Sequence, residues 1–231
     1  MIQDPLNRYI TTILSQCDLS GKNVLEIGCG TGRITRDLVK HARRVVATDP
    51  NADVLVKARS AIDADNVVFI QTPGGLPDLS AEGFDVVMYT LSLHHVPIEE
   101  MSTSLQSAAR LLLNDGIIVV IEPGDGGSWT EVKERFGAGS GDERPARAAA
   151  IRAMDSLSGW LSEEPIIFRT QFQFDDDEDF LASMLPGYRH QPEPLAEEVR
   201  SYLRRHQAAN GIVLDADRRL IVLRKKIFEV L

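Results

Sequence analysis

Val24-Leu25-Glu26-Ile27-Gly28-Cys29-Gly30-Thr31-Gly32 is the most informative run in this chain. Val24, Leu25 and Ile27 form a short apolar stretch that reads as a buried strand. Gly28, Gly30 and Gly32 follow at every second position, which lets the backbone turn sharply and come close to a ligand without Cβ interference. Glu26 stands two positions before the first glycine. A second acid, Asp49, ends the next apolar run, Val45-Val46-Ala47-Thr48, 21 residues after Gly28. That spacing fits one βαβ unit with a carboxylate placed to accept sugar hydroxyls.

The glycine spacing separates two cofactor classes. A nicotinamide or flavin fingerprint is G-x-G-x-x-G, opening onto a pyrophosphate at a helix N-terminus. Gly28 and Gly30 fit it, but Arg33 occupies the third glycine position. The run is G-x-G-x-G with an acid before it. It resembles the class I S-adenosylmethionine-dependent methyltransferases of the small-molecule type, whose pattern is E/D-x-G-x-G-x-G. S-adenosylmethionine has no pyrophosphate; it has a cationic sulfonium, an amino-acid head and a ribose, and acids around the loop suit it better than a diphosphate.

Composition bounds the rest. The chain has 231 residues, 43% of them hydrophobic, enough for a sizeable core. No apolar run approaches the length of a membrane-spanning helix. Met1-Ile2-Gln3-Asp4-Pro5 lacks the pattern of a signal peptide, and Cys17 and Cys29 are too few for a disulfide framework or a four-ligand zinc site. The expectation is a cytoplasmic protein. A net charge of −9 argues against nucleic-acid binding by bulk electrostatics.

Periodicity predicts an amphipathic helix over 5–18, a strand over 22–27, a helix over 31–42 and a strand over 44–48. Helix 51–61 and strand 67–70 follow, then a strand from 84 to about 90. A helix marked by Met101, Leu105, Ala108 and Leu112 ends near Asn114-Asp115-Gly116, and a strand runs over 117–121. Alternation of this kind predicts an α/β, Rossmann-like, doubly wound sheet, mostly parallel and seven-stranded, with helices on both faces and a helical elaboration after the fifth strand. A single domain is expected over 1–231, with a cofactor-binding core at 1–122, a substrate-side elaboration at 123–210 and a C-terminal strand region at 211–231. Within the elaboration, helices are expected near 128–136, 145–159, 175–185 and 194–209. Phe168, Thr170, Phe172 and Phe174 mark one face of a strand. The last strand is expected over about 219–227, and Gly211-Ile212-Val213-Leu214 reads as a strand that can pair with it across Asp215-Ala216-Asp217.

The resemblance covers roughly 5–122 by motif. Phe84-Asp85-Val86-Val87 leading to Thr90-Leu91-Ser92-Leu93-His94-His95-Val96 looks like the family's fourth-strand motif. It implies that Glu26 helps hold the methionine amino group and that Asp49 holds the ribose diol. It places Gly28, Cys29, Gly30 and Gly32 under the cofactor, with Pro50, Thr72, Thr90 and Leu91 among the contacts. S-adenosyl-L-methionine is the implied cofactor and S-adenosyl-L-homocysteine the product. One element departs: Pro73 falls where an Asp for the adenine amino group is expected, so backbone groups, Gln71 or Thr72 must read adenine. No general base is fixed. His94 and His95 follow the fourth strand at the carboxyl edge where such sheets bind ligands, and are the candidates. Tyr89 and Glu122 also lie at strand ends. The acids Asp175 to Asp179 suit a helix N-terminus rather than a metal. Trp129 and Trp160 suit core packing or an acceptor pocket equally. The reading is methyl transfer to a small organic acceptor, against methylation of a tRNA or protein, or a non-enzymatic cofactor-binding module.

Overall fold

The computed structural model describes residues 1–72, 83–185, 187–188 and 193–226, with the side chains of 193 and 194 excepted. Pro73 lies outside the described residues. In chain order the elements are β1 (Ile2–Gln3), α1 (Arg8–Gln16), β2 (Asn23–Ile27), α2 (Thr35–Leu38), β3 (Arg44–Asp49) and α3 (Ala52–Ala61). Then come β4 (Val67–Gln71), β5 (Phe84–Thr90), α4 (Met101–Arg110), β6 (Leu112–Pro123), α5 (Ser128–Phe136) and α6 (Arg144–Asp155). The rest are β7 (Trp160–Ser162), β8 (Ile166–Phe174), α7 (Asp177–Met184), α8 (Glu193–Arg204), β9 (Gln207–Ala208) and β10 (Gly211–Lys225). None of the described helices is long and apolar enough to cross a membrane.

Two compact units divide the chain. The parallel unit holds Ile10–Glu122, Pro145–Ile166 and Arg219–Leu231. Its strands run in the order β10-β6-β5-β2-β3-β4, with β7 pairing β10. The pairs β5·β6, β2·β5, β2·β3 and β3·β4 are parallel. Leu25, Ile27, Val87, Tyr89, Ile118 and Val120 join one apolar cluster with Leu105 and Ala108 of α4 and Ala150 and Met154 of α6. The intervening residues Val24, Glu26, Val86, Met88 and Val119 are buried too. Burial of both faces is what makes these strands read as continuous apolar runs.

The auxiliary unit holds Met1–Tyr9, Pro123–Arg144 and Ile167–Arg218. Here β1 pairs antiparallel with β8, Ile2 opposite Gln173, β8 neighbours β10, and β9 pairs antiparallel with β10. Phe172 and Phe174 of β8, Trp129 of α5, Phe180 of α7 and Tyr202 of α8 form its core. Trp129 stacks on Phe172 with ring centroids 4.2 Å apart. Trp160 packs in the core of the parallel unit. Both tryptophans are therefore core residues.

Several expectations need correction. The described residues form ten strands, not seven: the short β1, β7 and β9 stand beside the strands read from periodicity. The helix expected over 31–42 is regular only over Thr35–Leu38; around it the chain mixes three- and four-residue hydrogen bonds, such as Asp37 N–H to Ile34 and Arg36 N–H to Gly32. α4 stops at Arg110, and β6 starts at Leu112, before Asn114-Asp115-Gly116. Phe84 faces Leu112 but Val86 faces Ile117, so that turn triplet is accommodated as an irregularity within the pairing. Gly211 to Lys225 is one strand, not a hairpin about Asp215-Ala216-Asp217. Leu214, Ala216 and Arg218 are buried while Asp215 and Asp217 are half-buried, the period of two that a strand imposes.

Candidate functional site

The turn after β2 builds the site. Gly28, Gly30 and Gly32 all have positive φ, at 74°, 57° and 81°. Their reasons differ. A Cβ on Gly28 would collide with the Ser92 Cβ, so this glycine admits the turn after β5. Gly32 admits Ile62 and Ala58. Gly30 faces open space, and its N–H donates to Asp49 Oδ2 at 2.8 Å. The N–H groups of Gly28 and Cys29 donate to the Thr48 carbonyl, which ties the turn to the end of β3.

Both acids stand beside this turn in the wall of one cavity. Glu26 is fully buried. Its Oε2 accepts the Thr35 hydroxyl and its Oε1 the Thr90 hydroxyl, each at 2.6 Å. Burial pushes its carboxyl above the ordinary value, against the opposing effect of the two hydroxyls and of Arg33. Among the described residues its polar partners are two neutral hydroxyls. Asp49 Oδ1 accepts the Asn51 N–H at 2.9 Å, and Asn51 in turn caps α3 by accepting from the Asp53 N–H. The Asp49 carboxylate is thus held rigidly by two backbone donors.

Both acids line a cleft of about 500 Å³, whose described lining residues all belong to the parallel unit. Glu26, Gly28, Cys29, Gly30, Asp49, Pro50, Thr90 and Leu91 line it. Of the expected cofactor contacts, Gly32 and Thr72 are not in the wall. Thr72 is buried next to it, its N–H donating to the Asp49 carbonyl at 3.2 Å. Thr72 Oγ1 has no hydrogen-bond partner among the described residues. Burial pushes the Cys29 thiol far above its ordinary value, which keeps it protonated and a poor nucleophile.

The far wall comes from the segment after β5. Leu91 adopts φ 62°, a left-handed conformation uncommon for a branched side chain, and its N–H donates to the Ile121 carbonyl at 2.8 Å. Ser92 donates its hydroxyl to the Ile27 carbonyl. Leu93 to His95 form one tight helical turn that sends its histidines to different environments. His94 is buried, with Nδ1 2.7 Å from Glu122 Oε2 at the end of β6. His95 is exposed and lines the cleft with Val96 and Pro97. Tyr89 points into the core, its hydroxyl 2.7 Å from Ser104 Oγ, and has no place in the wall.

Sequence reasoning did not identify Thr35, Ser92 or Arg33 as site residues. Thr35 and Ser92 gain their parts only when the turn closes. Arg33 registered only as a missing glycine. Three arginines toward the C-terminus form ion pairs: Arg200 with Asp177 and Glu178, Arg204 with Glu197, and Arg224 with Glu163. Asp176 caps α7, and Asp179 pairs with the N-terminal amine.

Comparison with known proteins adds to this geometry. Residues 24–116 match the family model described as a methyltransferase domain. An uncharacterized methyltransferase of Anoxybacillus flavithermus is 29% identical over 120 residues, 51% of this chain and 54% of that protein. One from Staphylococcus carnosus is 32% identical over 101 residues, 43% of this chain and 46% of that protein. The chain thus spans about half the length of the curated relatives it matches. Among solved structures, the N-methyltransferase NodS of Bradyrhizobium japonicum, in complex with S-adenosyl-L-homocysteine, superposes with a TM-score of 0.55. The match covers 97% of this chain and 89% of that one at 18% identity, a likeness of fold alone.

Proposed function

We propose that this chain, which belongs to the class I S-adenosylmethionine-dependent methyltransferases, passes a methyl group from S-adenosylmethionine to a small organic acceptor. One observation carries the reading. A fully buried carboxyl whose hydrogen-bond partners among the described residues are two neutral hydroxyls, and a carboxylate fixed by backbone N–H groups, both line a cleft of about 500 Å³. Burial outweighs the hydroxyls and Arg33 in their effect on the Glu26 carboxyl, and a cation on the ligand relieves that cost. The ammonium of a methionine head does so. The ribose hydroxyls of the same molecule suit Asp49, whose oxygens keep lone pairs beyond the two backbone bonds.

In this reading Glu26 holds the ammonium and Asp49 the ribose diol. Gly28, Cys29 and Gly30 lie under the methionine and ribose, with Gly32 securing the turn from behind. The backbone of Thr90 and Leu91 faces the methionine part. Pro50 borders the adenine side, and the orphaned Thr72 hydroxyl is available to read adenine where the family's usual acid is replaced by Pro73. The bound cofactor supplies an already activated methyl group. The protein's share is to align the acceptor and keep water away. Arg33 is the only lysine or arginine in the described wall of the cleft, and the chain carries a net charge of −9. Both favour a small acceptor over a polyanion.

Calorimetry tests the cofactor. S-adenosylmethionine and S-adenosylhomocysteine are expected to bind and NAD not to bind. Asp49→Ala should weaken S-adenosylhomocysteine binding at least about tenfold, since charge-assisted bonds are worth roughly 1.5–3 kcal/mol each. Unchanged affinity in a normally folded variant, or a preference for NAD, would refute the assignment.

A further inference from the structure

We infer that His95 takes a proton from the methyl acceptor and that the buried His94–Glu122 pair positions it, so that the acceptor is a nucleophile carrying an ionisable hydrogen, a hydroxyl or an N–H. The inference rests on the methyl-transfer reading above.

The geometry begins with the tight turn after β5. Successive residues of such a turn point about 120° apart, because it has about three residues per turn. One histidine goes inward and the next outward. The inward one, His94, has its Nδ1 2.7 Å from Glu122 Oε2, with both side chains almost wholly buried. The two side chains form an ion pair when His94 carries a proton. Its near-complete burial against the Glu122 carboxyl holds the His94 ring in place. β5 and β6 pair in register, Thr90 opposite Ile121, which brings Glu122 level with the segment after β5.

The outward histidine then packs on this fixed ring. The centroids of His94 and His95 are 4.1 Å apart and the planes are tilted by 46°. The His95 N–H donates to the Ser92 carbonyl at 3.1 Å, and Ser92 is itself tied to Ile27 under the glycine turn. His95 is thus anchored at its backbone and along one ring face, while it remains exposed on the wall that also carries Leu91 and the glycine turn. An imidazole so placed meets the cleft and exchanges protons with solvent afterwards.

The chemistry balances. The acceptor's oxygen or nitrogen lone pair forms the new bond to the methyl carbon. The carbon–sulfur bond breaks, and its electron pair stays on sulfur. The acceptor's hydrogen leaves as a proton to a neutral His95 ring nitrogen, giving an imidazolium. A nucleophile without such a hydrogen needs no base and gives this arrangement no task.

The test begins without turnover. The chain has five histidines, so imidazole nitrogen–proton spectra can be assigned with His94→Gln and His95→Asn. S-adenosylhomocysteine is the probe, and its binding is measured by calorimetry on every variant. On its addition, the His95 signals should shift, and carbethoxylation of His95 by diethyl pyrocarbonate should slow at least about fivefold. Glu122→Gln should change the His94 ring signals and, through the ring contact, those of His95, with S-adenosylhomocysteine affinity kept. In turnover with simple phenols and primary amines, His95→Ala should lower kcat about 100-fold with KM nearly unchanged, and millimolar imidazole should restore part of it. Binding of S-adenosylhomocysteine that leaves His95 unshifted and unprotected overturns this inference while the methyltransferase reading stands. So does full kcat in folded His95→Ala. Absence of S-adenosylhomocysteine binding to the parent protein overturns both.

Discussion

Glu26 is the residue on which folding and ligand binding pull in opposite directions. Desolvation raises its carboxyl above the ordinary value of 4.5, more than Thr35, Thr90 and Arg33 offset. A raised folded-state value means that its contribution to stability is complete below the unfolded value and is lost as pH rises through the folded one. Above that point the ionised group is a buried charge facing two hydroxyls. Glu26→Gln should therefore raise the melting temperature of the ligand-free protein at pH 8 by about 2–4 °C, equivalent to roughly 1 kcal/mol in a chain of this size. It should also flatten the decline of stability with rising pH. The same change should weaken S-adenosylmethionine binding at least about tenfold, because the charge on the acceptor is lost. Scanning calorimetry and titration read the two effects separately. A variant that lost stability and kept affinity would show that Glu26 serves the fold alone. At this scale the acids and Gly30 were legible because their chemistry is written in residue type and spacing. The reason for Gly28 was not. Its missing side chain makes room for Ser92, 64 residues away in sequence, and no local pattern carries that information.

Elements were legible where one periodicity held and misread where turn residues sat inside a regular structure. Ser128–Phe136 matches its expected range because Trp129, Val132 and Phe136 recur at helical spacing and Gly137 ends the helix at φ 69°. β10 was broken in two by Asp215-Ala216-Asp217, which has the composition of a turn. In the fold those acids occupy the less buried face of a strand, and Asp217 pairs with Arg169 on β8. The two readings make opposite forecasts for Ala216. In a turn, Ala216→Asp would change stability by no more than about 0.5 kcal/mol, as surface substitutions do. Ala216 is fully buried in the core of the auxiliary unit, so an aspartate there is an unpaired buried charge. The expected loss is at least about 3 kcal/mol. Urea denaturation measures it, and a near-neutral result would restore the hairpin.

For the whole molecule, the recognisable motifs and the folding unit do not coincide. Residues 24–116 carry the family match, and the resemblance in sequence stops near 122. The parallel unit nevertheless closes its core with residues from far beyond that point. Ala149, Ala150, Ala153, Met154, Leu157 and Trp160 come from α6 and the segment after it, and Ile221 and Leu223 come from β10. Their membership was hard to read because it depends on where the chain returns after long excursions. Two compact units, each assembled from three separate segments, leave no single cut that releases one of them whole. Met154, Leu157, Trp160, Ile221 and Leu223 alone bury side chains worth about 1.5–3 kcal/mol each, or roughly 8–15 kcal/mol together. That is as large as the net stability of an ordinary domain, about 5–15 kcal/mol. A fragment of residues 1–122 contains the glycine turn, Glu26, Asp49, Thr90 and both histidines, yet it should not hold them in place. We expect it to show helical and strand signals in the far ultraviolet, no cooperative urea transition, dye binding to exposed apolar surface, and no S-adenosylhomocysteine binding. A sigmoidal transition with S-adenosylhomocysteine binding near that of the full chain would mean that 1–122 folds alone, and that the residues supplied by α6 and β10 add little to the site.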